Sequence, residues 1–346
     1  MDPRIFSILL LGMLAFLSNA QAESVGFREI DIADPEGHRN LSVALWYPTD
    51  QSGPVTLAGD NPAFVGIPVV KNAVPDGVAR PLVVLSHGYG GNWRNQIWLA
   101  EVLVSEGYRV AATNHPGTTT RDRRPEEAAR LWERPHDLTR VIDGLLSDQN
   151  LAGAIDPDRI AVIGHSLGGW TALALVGGRF DRARFVEACA RHPEMVGSCR
   201  SGLDKGMRLG GVERSALEQD MRDPRIRAAI SLDLGLAQGF TPESLAAISV
   251  PVLVIAAGDT YSALPTDLES GYLLDHLPKE RTESLRIPDA SHFSFFSRCK
   301  PGAIALLERD QPGEGIICQD GGSRSRTAIH EQVIDRVLPF LAAALR

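Results

Sequence analysis

The sequence predicts an α/β protein with a mostly parallel central sheet, helices on both faces and a small helical cap insertion. Three observations carry that prediction. Apolar β-rich runs alternate with amphipathic helical stretches along most of the chain. Several of those runs are apolar at every position, as a strand covered on both faces must be. The chain is 346 residues long, 44% apolar and 23% charged, which is ample for one large core.

The elements follow in order. Gly26 to Ile32 and Leu41 to Tyr47 alternate like half-exposed strands, and the second stops at Pro48, so an antiparallel edge is expected. Pro81 to Ser86 is a continuously apolar strand. A helix from Trp93 to Glu106, a strand from Arg109 to Thr113, a helix from His136 to Leu146 and a strand from Arg159 to Gly164 come next. Residues 49–80 and 114–130 are rich in Pro, Gly, Asp and Thr and read as loops. After a helix from Trp170 to Val176 the rhythm breaks over residues 178–225, a candidate cap. It resumes with strands at Ile226–Leu232, Pro251–Ala257 and Leu285–Pro288, a helix at Leu268–Leu277 and a closing amphipathic helix at Ile329–Leu345.

The N-terminus carries a different signal. Arg4 precedes the apolar stretch Ile5–Leu17, which leads into Ser18-Asn19-Ala20-Gln21-Ala22, so residues 1–22 read as a secretory signal cut after Ala22. That stretch is shorter than the ~20 residues a membrane span needs, and no transmembrane anchor is expected. The mature domain, 23–346, is then secreted or periplasmic, where disulfides persist. Short spacing favours two local pairs, Cys189 with Cys199 and Cys299 with Cys318. With 35 basic and 43 acidic residues the formal charge is −8, and no basic run exists to neutralise a phosphate backbone. Nucleic acid is not an expected partner.

The chemistry centres on Gly164-His165-Ser166-Leu167-Gly168-Gly169, between a buried strand and a helix. A serine at the tip of such a turn has a strained backbone and an exposed hydroxyl. The Leu167 N–H at the helix start faces a developing oxyanion. His87-Gly88-Tyr89-Gly90-Gly91-Asn92 follows the earlier strand and supplies a second oxyanion donor, the Tyr89 N–H. His292, late in the chain after the last strand, is the expected base. Two aspartates compete as the acid that orients it. Asp259, in Gly258-Asp259-Thr260, is the first choice, and Asp233, in Ser231-Leu232-Asp233, is the alternative; chain order admits both. Trp93 and His115 are expected in the substrate wall. Neither metal nor organic cofactor is implied. A metal-assisted rival would use His87, His115 and His165, each at the end of a strand.

These residues resemble the α/β-hydrolase superfamily, specifically secreted bacterial proteins described as dienelactone-hydrolase-like or platelet-activating-factor-acetylhydrolase-like, and more distantly the polyester-degrading cutinases. The likeness covers about Gly26 to Phe296. It implies a serine carboxylic-ester hydrolase working through an acyl-enzyme on short to medium acyl esters or lactones, or alternatively on a lipid or polyester. The acetylhydrolase branch implies Asp233 as the acid and the cutinase branch Asp259. Dienelactone hydrolases proper have a cysteine nucleophile where this chain has Ser166.

Overall fold

The computed structural model describes residues 24–34, 37–199, 214–258 and 264–346. The expected leader, Met1–Ala22, lies outside them. Ten strands form one sheet: β1 Ser24–Ile32, β2 Leu41–Thr49, β3 Val55–Ala58, β4 Ile67–Lys71, β5 Arg80–Ser86, β6 Arg109–Asn114, β7 Ile155–His165, β8 Ile226–Leu232, β9 Val252–Ala257 and β10 Thr282–Ile287. The order across the sheet is β10-β9-β8-β7-β5-β6-β2-β1-β4-β3. The six strands β5 to β10 run parallel, and β2 adds to them antiparallel.

The central strands are parallel because each is followed by a crossover that covers a face. Helices α1 (Ile97–Ser105) and α7 (Arg326–Ala344) pack on one side. Helices α2 (Glu133–Ser147) and α3 (Leu167–Leu175) pack on the other. In α2 the buried residues Leu138, Val141, Ile142 and Leu145 recur at helical spacing, and in α7 Ile329, Val333, Val337 and Leu341 do the same. Each face therefore has its own apolar layer, with Trp170 enclosed in one and Trp46 in the other. β5, β7 and β9, caught between the layers, carry the continuous apolar runs Leu82–Leu85, Ile160–Ile163 and Val252–Ala257.

Two loop expectations are corrected. Residues 49–80 contain β3 and β4, so the β1–β2 hairpin is antiparallel as expected but is not the sheet edge. The reason they escape the sequence is burial: Val55 and Leu57 in β3 are 65% and 55% exposed, and backbone pairing rather than an apolar pattern makes them strands. Residues 114–130 hold a short helical turn, Pro125–Ala128, with Pro at its first position.

Within the 178–225 insertion lie α4 (Arg182–Arg191) and the turns Val196–Cys199 and Arg214–Leu217. Phe180, Phe185, Met195 and Leu217 join the main core on the α2–α3 side, so this part of the insertion is built into the domain. Residues 200–213 are not described. Cys189 pairs with Cys199 and Cys299 with Cys318, as their spacing predicts. Closing such loops is worth about 3 kcal/mol each on a chain-entropy argument. Among the described residues no helix is long and apolar enough to cross a membrane.

Candidate active site

The carboxyl ends of β5, β7 and β8 and the loop after β10 meet at one place. Ser166 stands between β7 and α3 with φ 55° and ψ −121°, a backbone that a non-glycine residue adopts only under constraint. Three contacts supply that constraint. Ser166 N–H donates to Leu232 O of β8 at 3.0 Å. A Cβ on Gly164 would collide with the Gly168 carbonyl, and one on Gly168 with the Ser86 carbonyl. The hydroxyl-bearing carbon faces the next strand's loop, since a Cβ on Gly88 would sit 2.9 Å from Ser166 Cβ.

His292 opens the turn that follows β10, and its Nδ1 lies 2.6 Å from Asp233 Oδ2. Asp233, at the end of β8, is left-handed (φ 47°), 3% exposed, and fixed through its other oxygen, which accepts the Ala257 N–H at 2.8 Å. The first-choice acid, Asp259, lies outside the described residues; the carboxylate that meets the imidazole is the alternative, Asp233. The physical reason is strand adjacency. β8 neighbours β7, and Leu232 is already bonded to Ser166, so the next side chain is delivered to the histidine above the serine.

His165, expected only in the metal-assisted rival, supports the His292 turn instead. Its Nε2–H donates to the His292 carbonyl at 2.9 Å, and its ring packs 4.6 Å from the imidazole and against Phe295 and Phe296. Burial, then the neighbouring His292, holds its pKa well below the ordinary histidine value, so the ring is a neutral prop. Ser291 and Ser294 complete the support from the other side by donating to Gln319 O and Asp320, just beyond Cys318.

The loop from β5 presents the other half of the site. Gly90 N–H donates to Thr118 O and Gly91 N–H to Gly88 O. The Tyr89 and Leu167 amides make no hydrogen bond among the described residues, which leaves both as free donors beside Ser166. The Tyr89 side chain is half-buried against the core.

Both substrate-wall expectations are corrected. Trp93 is 3% exposed and packs against Phe27 and Trp46 in the α1–α7 layer, tilted to the first ring and edge-on to the second, because the chain turns inward to begin α1. His115 is fully enclosed, with Nδ1 2.8 Å from Asp137 and Nε2 2.9 Å from Ser86 Oγ. Nor do the three histidines of the metal-assisted rival converge on an open site. Both nitrogens of His87 are engaged, by Gly88 O and His115 N–H. Among the described residues no group of three or more His, Cys, Asp or Glu side chains is placed to hold a metal ion.

A cleft of about 780 Å³ borders this region, reaching Gly90 of the β5 loop and Phe296 beyond His292. Its walls include Asn61, Phe64, Arg94, Arg121 and Arg123. The Arg123 guanidinium lies over Gly90 and pairs with Glu314 at 3.7 Å, and Arg94 sits 4.0 Å over the Trp93 ring. Asp60, Asp310 and Glu314 line the same cleft, so its wall is polar and mixed in charge.

Behind the acid stands Glu269, which precedes α5 (Ser270–His276) and is 1% exposed. It accepts the Ser198 hydroxyl and the Ala237 N–H, fixing the segment that carries Asp233. Burial pushes its carboxyl up from 4.5 to about 7, with the Asp233 charge acting in the same direction. The unfolded chain loses this proton near pH 4.5 and the folded protein near 7, so stability falls as pH rises through that window, by on the order of 3 kcal/mol. Thermal melts from pH 4.5 to 8 should show the loss, and Glu269→Gln should remove it. An unchanged pH slope in the variant would assign the loss to another group.

Relatives are consistent with this architecture. Cutinase est2 and Cutinase est1 of Thermobifida alba are 35% and 34% identical over 101 residues, 29% of this chain and 31% of each of theirs. The match thus spans under a third of those relatives' length. The fold is shared with a ferulic acid esterase from Streptomyces cinnamoneus, at a TM-score of 0.64 and 24% identity over 95% of this chain and 92% of that one. The family model for the Alpha/beta hydrolase family matches residues 83–305, from within β5 past Ser166, Asp233 and His292 to α6 (Ala303–Asp310). A match over well more than half of the chain, on the sheet order and elbow just described, makes this protein a member of the Alpha/beta hydrolase family.

Proposed function

We propose that the protein is a secreted serine carboxylic-ester hydrolase. The observation that carries the reading is the 2.6 Å Asp233–His292 pair set beside a serine held at φ 55° on the strand-to-helix turn. Asp233 keeps the imidazole in the tautomer with its proton on Nδ1, leaving Nε2 to take the Ser166 proton as the hydroxyl oxygen attacks the ester carbonyl. The Tyr89 and Leu167 amides receive the oxyanion. The alkoxide leaves with the proton from Nε2, and His292 then activates water to release the acid and regenerate Ser166. The reading for secretion rests on the Met1–Ala22 leader and the two disulfides.

The cleft beside Gly90 offers arginine and asparagine side chains as well as Phe64 and Phe296. That polar lining suits an oxygenated ester of modest length better than a long hydrocarbon chain. A polymer ester is the second reading, favoured by the likeness to proteins named cutinases.

The test is a panel run on the mature protein: p-nitrophenyl acetate, butyrate and octanoate. The short esters should be turned over, with the octanoate the slowest. No turnover of any member would overturn the proposal, and a rise in rate with acyl length would overturn the polar-substrate part.

A further inference from the structure

Arg134, in the first turn of α2, is 1% exposed, and its guanidinium makes no ion pair among the described residues. The nearby carboxylate of Asp137 is instead held in a bidentate pair with Arg39, through two bonds of 2.8 Å. A buried cation with only neutral partners is costly, and this one reaches four of them. Nε donates to Thr171 Oγ1 at 3.0 Å, Nη1 to Thr118 Oγ1, and Nη2 to both Ser86 Oγ (3.2 Å) and the His87 carbonyl. Burial lowers its pKa to about 9, which leaves it cationic at neutral pH.

Those partners belong to the two halves of the site. The His87 carbonyl lies two residues before Tyr89, in the loop that offers one free amide. The Thr171 hydroxyl donates a hydrogen bond to Leu167 O at 3.0 Å, on the residue that offers the other. Thr118 donates to His115 O, and Ser86 bonds the neutral His115 ring. One planar, five-donor group therefore spans the β5 loop and the α3 elbow, a task a flexible ammonium performs poorly.

We infer that Arg134 is the positioning residue of the oxyanion site, fixing the separation of the Tyr89 and Leu167 amides and lending them a buried positive charge. The inference rests on the proposed esterase reading. As negative charge develops on the carbonyl oxygen, the guanidinium stabilises it from within the protein, where water does not screen it. The effect belongs to the tetrahedral state and not to the bound ester, so Arg134 acts on kcat and leaves KM nearly unchanged.

The experiment compares wild type, Arg134→Gln, Arg134→Lys and Thr171→Val in three measurements. These are kcat and KM on p-nitrophenyl butyrate, the inhibition constant of a butyl trifluoromethyl ketone, and the melting temperature. For Arg134→Gln we expect kcat to fall about 100-fold, KM to stay within about twofold, and ketone affinity to fall by the same factor as kcat. Arg134→Lys should recover part of both losses. Thr171→Val, which cuts only the link to α3, should lower kcat and ketone affinity together by several-fold, and it decides the matter if Arg134→Gln does not fold. The inference is overturned if ketone affinity stays at the wild-type value while kcat falls, or if Thr171→Val behaves as wild type. Failure of the esterase reading itself would show in the wild-type protein, as absence of turnover and of ketone inhibition.

Discussion

Ser166→Ala should reduce turnover of p-nitrophenyl butyrate by on the order of 10⁵-fold or more, with the melting temperature within a degree or two of wild type. The size follows from the unit the serine belongs to. Without its oxygen there is no acyl-enzyme, and only the oxyanion donors and substrate positioning remain, worth about 10³–10⁴ over water. Stability should hold because the elbow is fixed by its backbone, through the Ser166 N–H bond to Leu232 O and the close glycine contacts, and Ser166 makes no side-chain cap of α3. A fluorophosphonate should add one mass increment to the wild-type peptide containing Ser166 and none to the variant. Retained turnover in the purified alanine variant would sink the serine mechanism.

The second large effect separates the two aspartates. Asp233→Asn should lower kcat about 10⁴-fold at neutral pH, and the cause is tautomeric rather than steric. The Ala257 N–H donates to Asp233 Oδ1, so the carboxamide oxygen will take that place and turn the amide NH₂ toward His292 Nδ1. A donor there forces the imidazole proton onto Nε2, which can then no longer accept from Ser166. Asp259→Asn should change kcat by no more than about threefold, since Nδ1 already has its partner at 2.6 Å. Steady-state kinetics on both variants decides the point, and a 10⁴-fold loss confined to Asp259→Asn would reverse it.

Much of the molecule was legible before folding because its signals are local. The runs Ile226–Leu232 and Pro251–Ala257 announce strands buried on both faces, and both form with nearly those bounds. The turn at Gly164–Gly169 needs small residues at fixed offsets, a demand written into consecutive positions. The disulfide partners were legible for the same reason, being 10 and 19 residues apart. Among the site expectations, those corrected depended on which way a side chain turns. Trp93 and His115 sit where loops begin, and only the packing of α1 and the Asp137–His115–Ser86 chain shows that both point into the protein. Arg134 lies before the helix expected at His136–Leu146 and carries no local signal of its own. Its helix lies across the ends of β5 and α3, so the first turn is driven into the one region where its donors are needed.

By itself the sequence determined the class of fold, the strand-to-helix turn at Ser166, the place of His292 late in the chain and the pairing of the cysteines, since each is encoded within a few neighbouring residues. That Asp233 meets the His292 imidazole is seen only in the tertiary structure. Asp233 and Asp259 both follow consecutive strands of the same kind, and nothing local distinguishes them; β8 lies directly against β7, so the residue after Leu232 arrives within hydrogen-bond reach of His292.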